Sequence, residues 1–421
     1  MLTRRQLFAS APALARAAAP RLNYILILAD DLGYGDLACY GSATNPTPHL
    51  NRLGADGARF TDHYSCSPVC SPARAGLLTG LRPERAGVTG VLRDRDDATG
   101  LDLRLPTLAD ELRKQGWRTA LIGKWHLGVT EPYWPTRRGF DYFWGFLSGT
   151  IDYFTHESRG GGATGRRVTY ENEKLVKLEG YYPELMTARA VRFIEENRAE
   201  PYFLYFSSPL PHTPLAAPER WTRPFRDRMD ETRATYAGMV SCLDDAVGQM
   251  RAALERTGQW DRTVLVFLSD NGWVKKVTPQ VAPAGSNAPF RGGKYELFEG
   301  GVRSPAIVRW PGLTRPGSVC REVSWFPDWL PTFTGRAAED GVDLRGALAG
   351  RPLPARTLRW RFADAAVKTP LSLAARKGRW KFLQVGADKR LFDLEKDPGE
   401  STDVLAAHRD IAAALEADLA R

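Results

Sequence analysis

Four apolar runs, each stopping abruptly at polar residues, frame the sequence. Residues 23–29 (NYILILA) run into Asp30-Asp31, and residues 118–123 (RTALIG) run into Lys124-Trp125-His126. Residues 202–206 (YFLYF) lead to a loop holding His212, and residues 263–268 (TVLVFL) lead to Ser269-Asp270-Asn271. Short runs that are apolar throughout, without alternation, predict strands buried on both faces. Helical patterns lie between them. Residues 106–115 (PTLADELRKQ) begin with Pro in a first turn and are followed by Gly116. Residues 183–197 are amphipathic. From 231 to 257, Tyr236, Val240, Leu243, Val247, Met250 and Leu254 recur at steps of four and three, a single buried stripe closed by Gly258. Strands alternating with helices predict an α/β fold, a large mostly parallel sheet between helices.

After about residue 320 the pattern changes. Residues 358–362, 371–375, 380–385 and 390–394 have the length and composition of short antiparallel strands, with Lys377-Gly378-Arg379 as a hairpin turn. A helix over 411–419 closes the chain. The expected organisation is an N-terminal segment over 1–19, a large domain over 20–320 and a C-terminal α+β subdomain over 321–421. The Gly/Ala/Arg-rich stretch 335–354 is expected as a loose linker, and Arg159-Gly160-Gly161-Gly162 as a flexible loop.

Composition narrows the function classes. With 421 residues, 43% of them hydrophobic, the chain is long enough to bury a sizeable core. The net charge is +9, which favours anionic partners, but no Lys/Arg block marks a nucleic-acid arm. Residues 1–19 carry Arg4, Arg5 and Arg16, no acid, a short apolar stretch and small residues near 15–19. The run Thr3-Arg4-Arg5-Gln6-Leu7-Phe8 resembles a twin-arginine export signal, which predicts an exported, periplasmic or secreted protein. No stretch is long and apolar enough to span a membrane. Five cysteines (Cys39, Cys66, Cys70, Cys242 and Cys320) suit neither a disulfide scaffold nor a zinc site.

The unusual polar residues cluster where such a sheet binds ligands, at the carboxyl ends of strands. Asp30 and Asp31 follow one strand, and Asp270 and Asn271 another. Four oxygen-bearing side chains at one edge make a site for a hard cation, calcium or magnesium. Two adjacent acids alone would more often cap a helix; the second pair turns the reading towards a metal.

The segment Cys70-Ser71-Pro72-Ala73-Arg74-Ala75-Gly76-Leu77-Leu78-Thr79-Gly80 resembles the signature of the type I sulfatases, Cys-x-Pro-x-Arg followed by Leu-Thr-Gly. Thr47-Pro48-His49-Leu50-Asn51-Arg52-Leu53, Gly123-Lys124-Trp125-His126-Leu127-Gly128, Pro211-His212-Thr213-Pro214 and Arg291-Gly292-Gly293-Lys294 with Glu299-Gly300-Gly301-Val302-Arg303 resemble further family segments. So does the closing stretch Leu391 to Glu400, and the resemblance covers roughly residues 22 to 405. It implies an alkaline-phosphatase-like fold and hydrolysis of sulfate esters, with sulfated carbohydrates as the expected substrate.

The resemblance also implies that a formylglycine-generating enzyme oxidises Cys70 to formylglycine (3-oxoalanine). The hydrated aldehyde offers two hydroxyls: one attacks sulfur, and the other lets the covalent sulfate ester collapse without attack by water. Asp30, Asp31, Asp270, Asn271 and the modified residue 70 are the implied calcium ligands, with magnesium as the alternative ion. Arg74 steadies the hydrate, Lys124 binds sulfate, and His126 takes the proton that permits collapse. His212 and Lys294 face the leaving oxygen. Ser148 and Asp152-Tyr153, in the run LSGTIDYF, are candidates for the substrate pocket. Trp134, Trp144 and Trp273 are either a sugar platform or core, and His49, His63 and His156 are left as structural. Two other readings stand beside this one. A phosphonate or phosphate ester hydrolase of the same fold tends to carry His where Asn271 stands. A non-catalytic binder of sulfated glycans would be expected to lack Cys70, Arg74 or the acids.

Overall fold

The computed structural model describes residues 21–93, 99–159, 165–275 and 284–419. The export-signal segment and Gly160 to Gly162 lie outside these. The four expected core strands form as Asn23–Ala29, Arg118–Lys124, Tyr202–Ser207 and Thr263–Ser269. They are neighbours in a ten-stranded sheet. Thr263–Ser269 pairs with Asn23–Ala29, which pairs with Tyr202–Ser207, which pairs with Arg118–Lys124, all in parallel. Tyr142–Phe146 extends the parallel set. Beyond it the sheet turns antiparallel on both sides, through Ala306–Arg309 and Thr169–Glu171.

The first strand shows why its sequence is apolar at every position. Tyr24, Leu26 and Leu28 pack on one face, in the same cluster as Ala73, Ala75, Leu77 and Leu78 of the Cys70–Thr79 helix. Ile25, Ile27 and Ala29 pack on the other, with Tyr236, Met239, Val240 and Leu243 of the Glu231–Arg256 helix. Side chains alternate between faces, and both faces are covered. Register sets the rest: Ala29 lies beside Ser269 and Leu28 beside Ser207. The residues that follow these strands therefore leave the sheet at one common edge.

The expected helix at 106–115 begins later. It spans Leu108–Lys114, with Thr107 as its cap and Asp110 returning the bond to the Thr107 backbone. Pro106 precedes the cap, because a threonine hydroxyl that accepts the Asp110 N–H at 3.1 Å makes the better start.

The C-terminal sheet is a four-stranded antiparallel meander: Thr357–Asp364, Thr369–Lys377, Trp380–Val385 and Asp388–Asp393. Gly378, at φ 57, makes the expected turn. One face packs on the Arg409–Leu419 helix through Phe382, Leu391 and Leu415; the other joins the core of the large sheet through Leu358, Trp360 and Phe392. The stretch 335–354 is not a loose linker. Arg345–Leu348 is helical, and Leu344, Ala347 and Leu348 are buried in the large core. Residue 320 ends a strand of the large sheet, Ser324–Trp325 then pairs with His63–Tyr64, and the second sheet begins at Thr357. A buried ionic cluster ties the two sheets together, with the Lys381 ammonium 2.9 Å from both Glu299 and Glu400. Among the described residues, no helix is long and apolar enough to cross a membrane.

Candidate active site

Three carboxylates meet at the carboxyl edge. The Asp31 N–H donates to Asp270 Oδ1 at 3.0 Å, which holds Asp31 in the left-handed region at φ 60. Asn271 donates from Nδ2 to Asp31 Oδ1 at 2.7 Å. The Ser269 hydroxyl fixes the strand end by accepting from the Leu32 N–H at 3.1 Å. The expected set Asp30, Asp31, Asp270 and Asn271 is thus brought together and buried.

Cationic groups surround the set. Lys124 Nζ lies 2.7 Å from Asp30 Oδ2, and Lys294 Nζ lies 2.7 Å from Asp31 Oδ2. Arg74 donates to Asp270 Oδ2 at 2.9 Å and lies 3.4 Å from Asp30 Oδ1. Burial opposes charge on Asp30, but Lys124, His212, Arg74 and Lys294 outweigh it and hold the carboxyl well below the usual range. Burial and the charge of Asp30 push Asp270 well above it, in spite of Arg74. For Arg74 burial works against the charge, and Asp270 with Asp30 overcomes it and raises the guanidinium further. Lys294 is likewise raised by Asp31 against the effect of burial.

The donor set fits a hard divalent cation. Asn271 Oδ1 is buried without a hydrogen-bond partner, and Asp30 Oδ1 makes only the long contact with Arg74. The Asp30, Asp31 and His212 ligand atoms all lie within 4.8 Å of one another. A cation among them would satisfy the orphaned oxygens and relieve the strain on Asp270.

Cys70 opens a fully buried helix, Cys70–Thr79, that follows the extended Val69 and ends on the left-handed Gly80. Its side chain lies near those of Asp270, Arg74 and Lys294, close enough for a charge at position 70 to be felt by each. The Tyr295 N–H donates to Pro68 O at 3.0 Å, which docks the Lys294 loop against the approach to Cys70. Trp360 of the C-terminal sheet donates to Ser65 O at 2.8 Å and braces the same loop.

Both expected histidines reach this edge. His126 Nε2 lies 2.9 Å from Leu92 O, so Nε2 carries the proton and Nδ1 is the basic nitrogen. The Leu92 N–H in turn donates to the Ser71 hydroxyl at 3.1 Å, which ties His126 to the residue after Cys70. A Cβ on Gly149 would stand 2.6 Å from His126 Nε2, so only glycine fits there. His212 donates from Nδ1 to Thr213 O at 2.6 Å and directs Nε2 at Asp31 Oδ2, 3.5 Å away. Burial, with Lys294 and Lys124, holds His212 down at about 4 against the pull of Asp31 and Asp30.

Ser207 is a contributor hard to see in the sequence, and Tyr153 contributes from the core rather than from the pocket wall. The Ser207 hydroxyl accepts from Arg74 at 2.5 Å and donates to Lys124 O at 2.6 Å, joining two site residues; its only signal is its place at the end of a strand. The buried Tyr153 hydroxyl is shared between Pro209 O, at 2.8 Å, and His212 O, at 2.7 Å, so it positions the His212 loop. Tyr153→Phe is expected to lower kcat by about ten-fold through misplacement of His212. Stability should fall by about 1–2 kcal/mol for the unpaired carbonyls. Paired kinetics and denaturant titration check both.

Ser148 is buried, and its hydroxyl donates to Thr150 O at 2.9 Å within its own turn. The three tryptophans take the core alternative and pack in or against the hydrophobic core. Trp144 stacks on Tyr182 and Trp273 packs edge-on to Tyr236, both buried, while half-buried Trp134 donates to Val129 O at 2.8 Å. His63 and His156 are structural: His63 Nδ1 is 2.9 Å from the Ser324 hydroxyl, and His156 Nε2 is 2.9 Å from Gly180 O. Exposed His49 packs its ring over Gly248.

Comparison with known proteins agrees with this geometry. The family model for sulfatases matches residues 22–338. Arylsulfatase A of Homo sapiens is 32% identical over 96% of this chain and 86% of its own length. Arylsulfatase J of Mus musculus is 35% identical over 76% of the chain, which spans only 53% of that longer protein. Among solved structures, Ps i-CgsB in complex with k-i-k-neocarrahexaose superposes with a TM-score of 0.88 at 30% identity, over 95% of this chain and 92% of that one. A phosphonate monoester hydrolase of Agrobacterium radiobacter shares the fold, with a TM-score of 0.68 at 21% identity over 95% of each chain. An alkaline-phosphatase-like α/β sheet, a buried Cys70 opening its helix near Asp270, and a family model matched over most of the chain place this protein in the sulfatase family, the enzymes that hydrolyse sulfate esters.

Proposed function

We propose that this protein hydrolyses sulfate esters of carbohydrates, with formylglycine formed from Cys70 and a calcium ion held by Asp30, Asp31, Asp270 and Asn271. Magnesium is the alternative ion. The observation that carries the reading is the meeting of three buried acids with three buried cations at one sheet edge, one of the cations, Arg74, on the helix that Cys70 opens. The metal would supply positive charge to sulfate oxygens, and the aldehyde hydrate would supply the nucleophilic hydroxyl. The chain's own residues do the remainder. Arg74, one helical turn after Cys70, fixes the hydrate and balances Asp30 and Asp270. Lys124 and Lys294 present ammonium groups to the sulfate. The His126 Nδ1 lone pair accepts the proton released on collapse.

His212 and Lys294 serve the leaving oxygen. Lys294 carries its charge throughout the neutral range. His212 is neutral in the free site, and an arriving sulfate adds negative charge beside Nε2 and raises its proton affinity towards that of an acid. The carbohydrate assignment draws on the likeness to the protein solved with neocarrahexaose and on the chain's net charge of +9. Residues 1–19 serve as the export signal in this reading, and a formylglycine-generating enzyme acts before export.

The same fold carries a phosphonate hydrolase, so the test is comparative. Rates on 4-nitrophenyl sulfate and on a 4-nitrophenyl phosphonate ester should differ by at least about 100-fold in favour of sulfate. A preference for the phosphonate would overturn the reading, and binding of sulfated glycans without any turnover would leave the non-catalytic alternative. Dialysis against a chelator should lower the sulfatase rate by about 100-fold, with recovery on adding calcium. Activity that persists after verified metal removal would contradict the proposed ligand set.

A further inference from the structure

A groove of about 360 Å³ opens on Lys294 and runs between residues 295–298 of the catalytic loop and residues 367–372 of the C-terminal sheet. A second groove of about 360 Å³ lies against residues 285–290, and Lys275 lines both. Each volume falls within the range of small-ligand pockets, about 300–1,000 Å³. The first groove has fixed walls. The Tyr295 ring lies 6.3 Å from Phe362, and the Phe298 ring 6.3 Å from Phe392, so the segment after Lys294 packs on the C-terminal sheet through aromatic side chains.

The groove is lined with unused positive charge. Lys368 sits at φ 55 at the end of the Ala365–Val367 turn, where Asp364 accepts the Ala366 N–H at 2.9 Å. Lys275 and Lys368 are both exposed, and neither ammonium has a hydrogen bond or ion pair among the described residues. Lys294, in contrast, is paired with Asp31 at 2.7 Å. The one acid in the lining, Glu296, folds back over its own turn: its Oε2 stands 3.2 Å from where a Cβ on Gly292 would be.

We propose that Lys275 and Lys368 form a second anion subsite, and that the substrate is an oligosaccharide bearing at least two anionic groups. One sulfate is hydrolysed at Cys70, and a neighbouring one is held in the groove. This rests on the carbohydrate-sulfate reading above. A substrate with a single sulfate leaves these two ammoniums of the groove unmatched, whereas a second anion on the same molecule matches them in sign within a groove that also opens on Lys294. The contacts face solvent, so each is weak and screened by salt.

The test uses a persulfated disaccharide, sucrose octasulfate, which presents sulfate at every position, as a competitor of 4-nitrophenyl sulfate. In the Lys275→Gln/Lys368→Gln double variant its inhibition constant should rise about ten-fold, equivalent to about 1.4 kcal/mol. The kcat/KM on 4-nitrophenyl sulfate should stay within about two-fold, and inhibition by inorganic sulfate should not change. Raising salt should weaken the competitor in the wild type more than in the variant. Equal inhibition of both proteins would overturn the subsite. So would an equal loss for inorganic sulfate, since that places the effect in the sulfate site itself. Calorimetric Kd values for the same probe, with Cys70→Ala in both backgrounds, read the subsite without turnover. Absence of sulfatase activity and absence of the subsite are then separate outcomes.

Discussion

Replacing Cys70 with alanine is expected to lower turnover of 4-nitrophenyl sulfate by on the order of 10⁴-fold or more, with the fold intact. The size follows from the proposed role: position 70 supplies the nucleophile, so the covalent route is lost rather than weakened. The small structural effect follows from the setting. Cys70 begins a helix whose next nine residues are all buried, and that packing does not depend on its sulfur. Trimming one buried sulfur leaves a cavity costing about 1–2 kcal/mol. Loss of rate with an unchanged denaturant slope and a midpoint lowered only by that small cost is the expected result. Rate retained within ten-fold would remove Cys70 from the chemistry.

Arg74→Ala is expected to fail on both counts. The guanidinium is fully buried and touches Asp270 at 2.9 Å, Asp30 at 3.4 Å and the Ser207 hydroxyl at 2.5 Å. Removing one partner of a buried ionic cluster leaves uncompensated carboxylates and costs about 3–5 kcal/mol. Activity should fall by at least about 10³-fold, since the residue that steadies position 70 is gone and the acids rearrange. The stability loss should be larger in chelator than in calcium, because a bound cation compensates the same acids. Arg74→Lys keeps the charge but not the fork that spans Asp270, Asp30 and Ser207, and should recover stability more than activity. Denaturant titrations with and without calcium, beside kinetics on all three proteins, check this. Equal stability loss in both conditions would contradict a shared site for Arg74 and the metal.

Much of this site was legible because its residues follow apolar strands directly. Asp30, Asp270 and Lys124 lie within one residue of a strand end, and parallel pairing of those strands brings them to one edge. What stayed hidden depends on side-chain direction and distant partners. Ser207 looks like an ordinary strand residue, and Tyr153 reads as a pocket residue; their roles arise from contacts with Arg74 and His212, 133 and 59 positions away. The tryptophans show what residue type alone leaves open: it allows a sugar platform or core packing, and Trp144 and Trp273 fill the core beside Tyr182 and Tyr236. The stretch 335–354 misled through its Gly and Ala content, while three spaced apolar residues, Leu344, Ala347 and Leu348, decide its packing. The start of the helix after Pro106 turned on a single hydroxyl, that of Thr107.

The central claim is that position 70 becomes an aldehyde. The most direct measurement is the mass of the tryptic peptide covering residues 60–74, from protein produced with and without a formylglycine-generating enzyme. The account predicts that with the enzyme the Cys70 side chain changes from CH₂SH to CHO, and that sulfatase activity scales with the modified fraction. An intact thiol at Cys70 in protein made with the enzyme, and fully active, would contradict it.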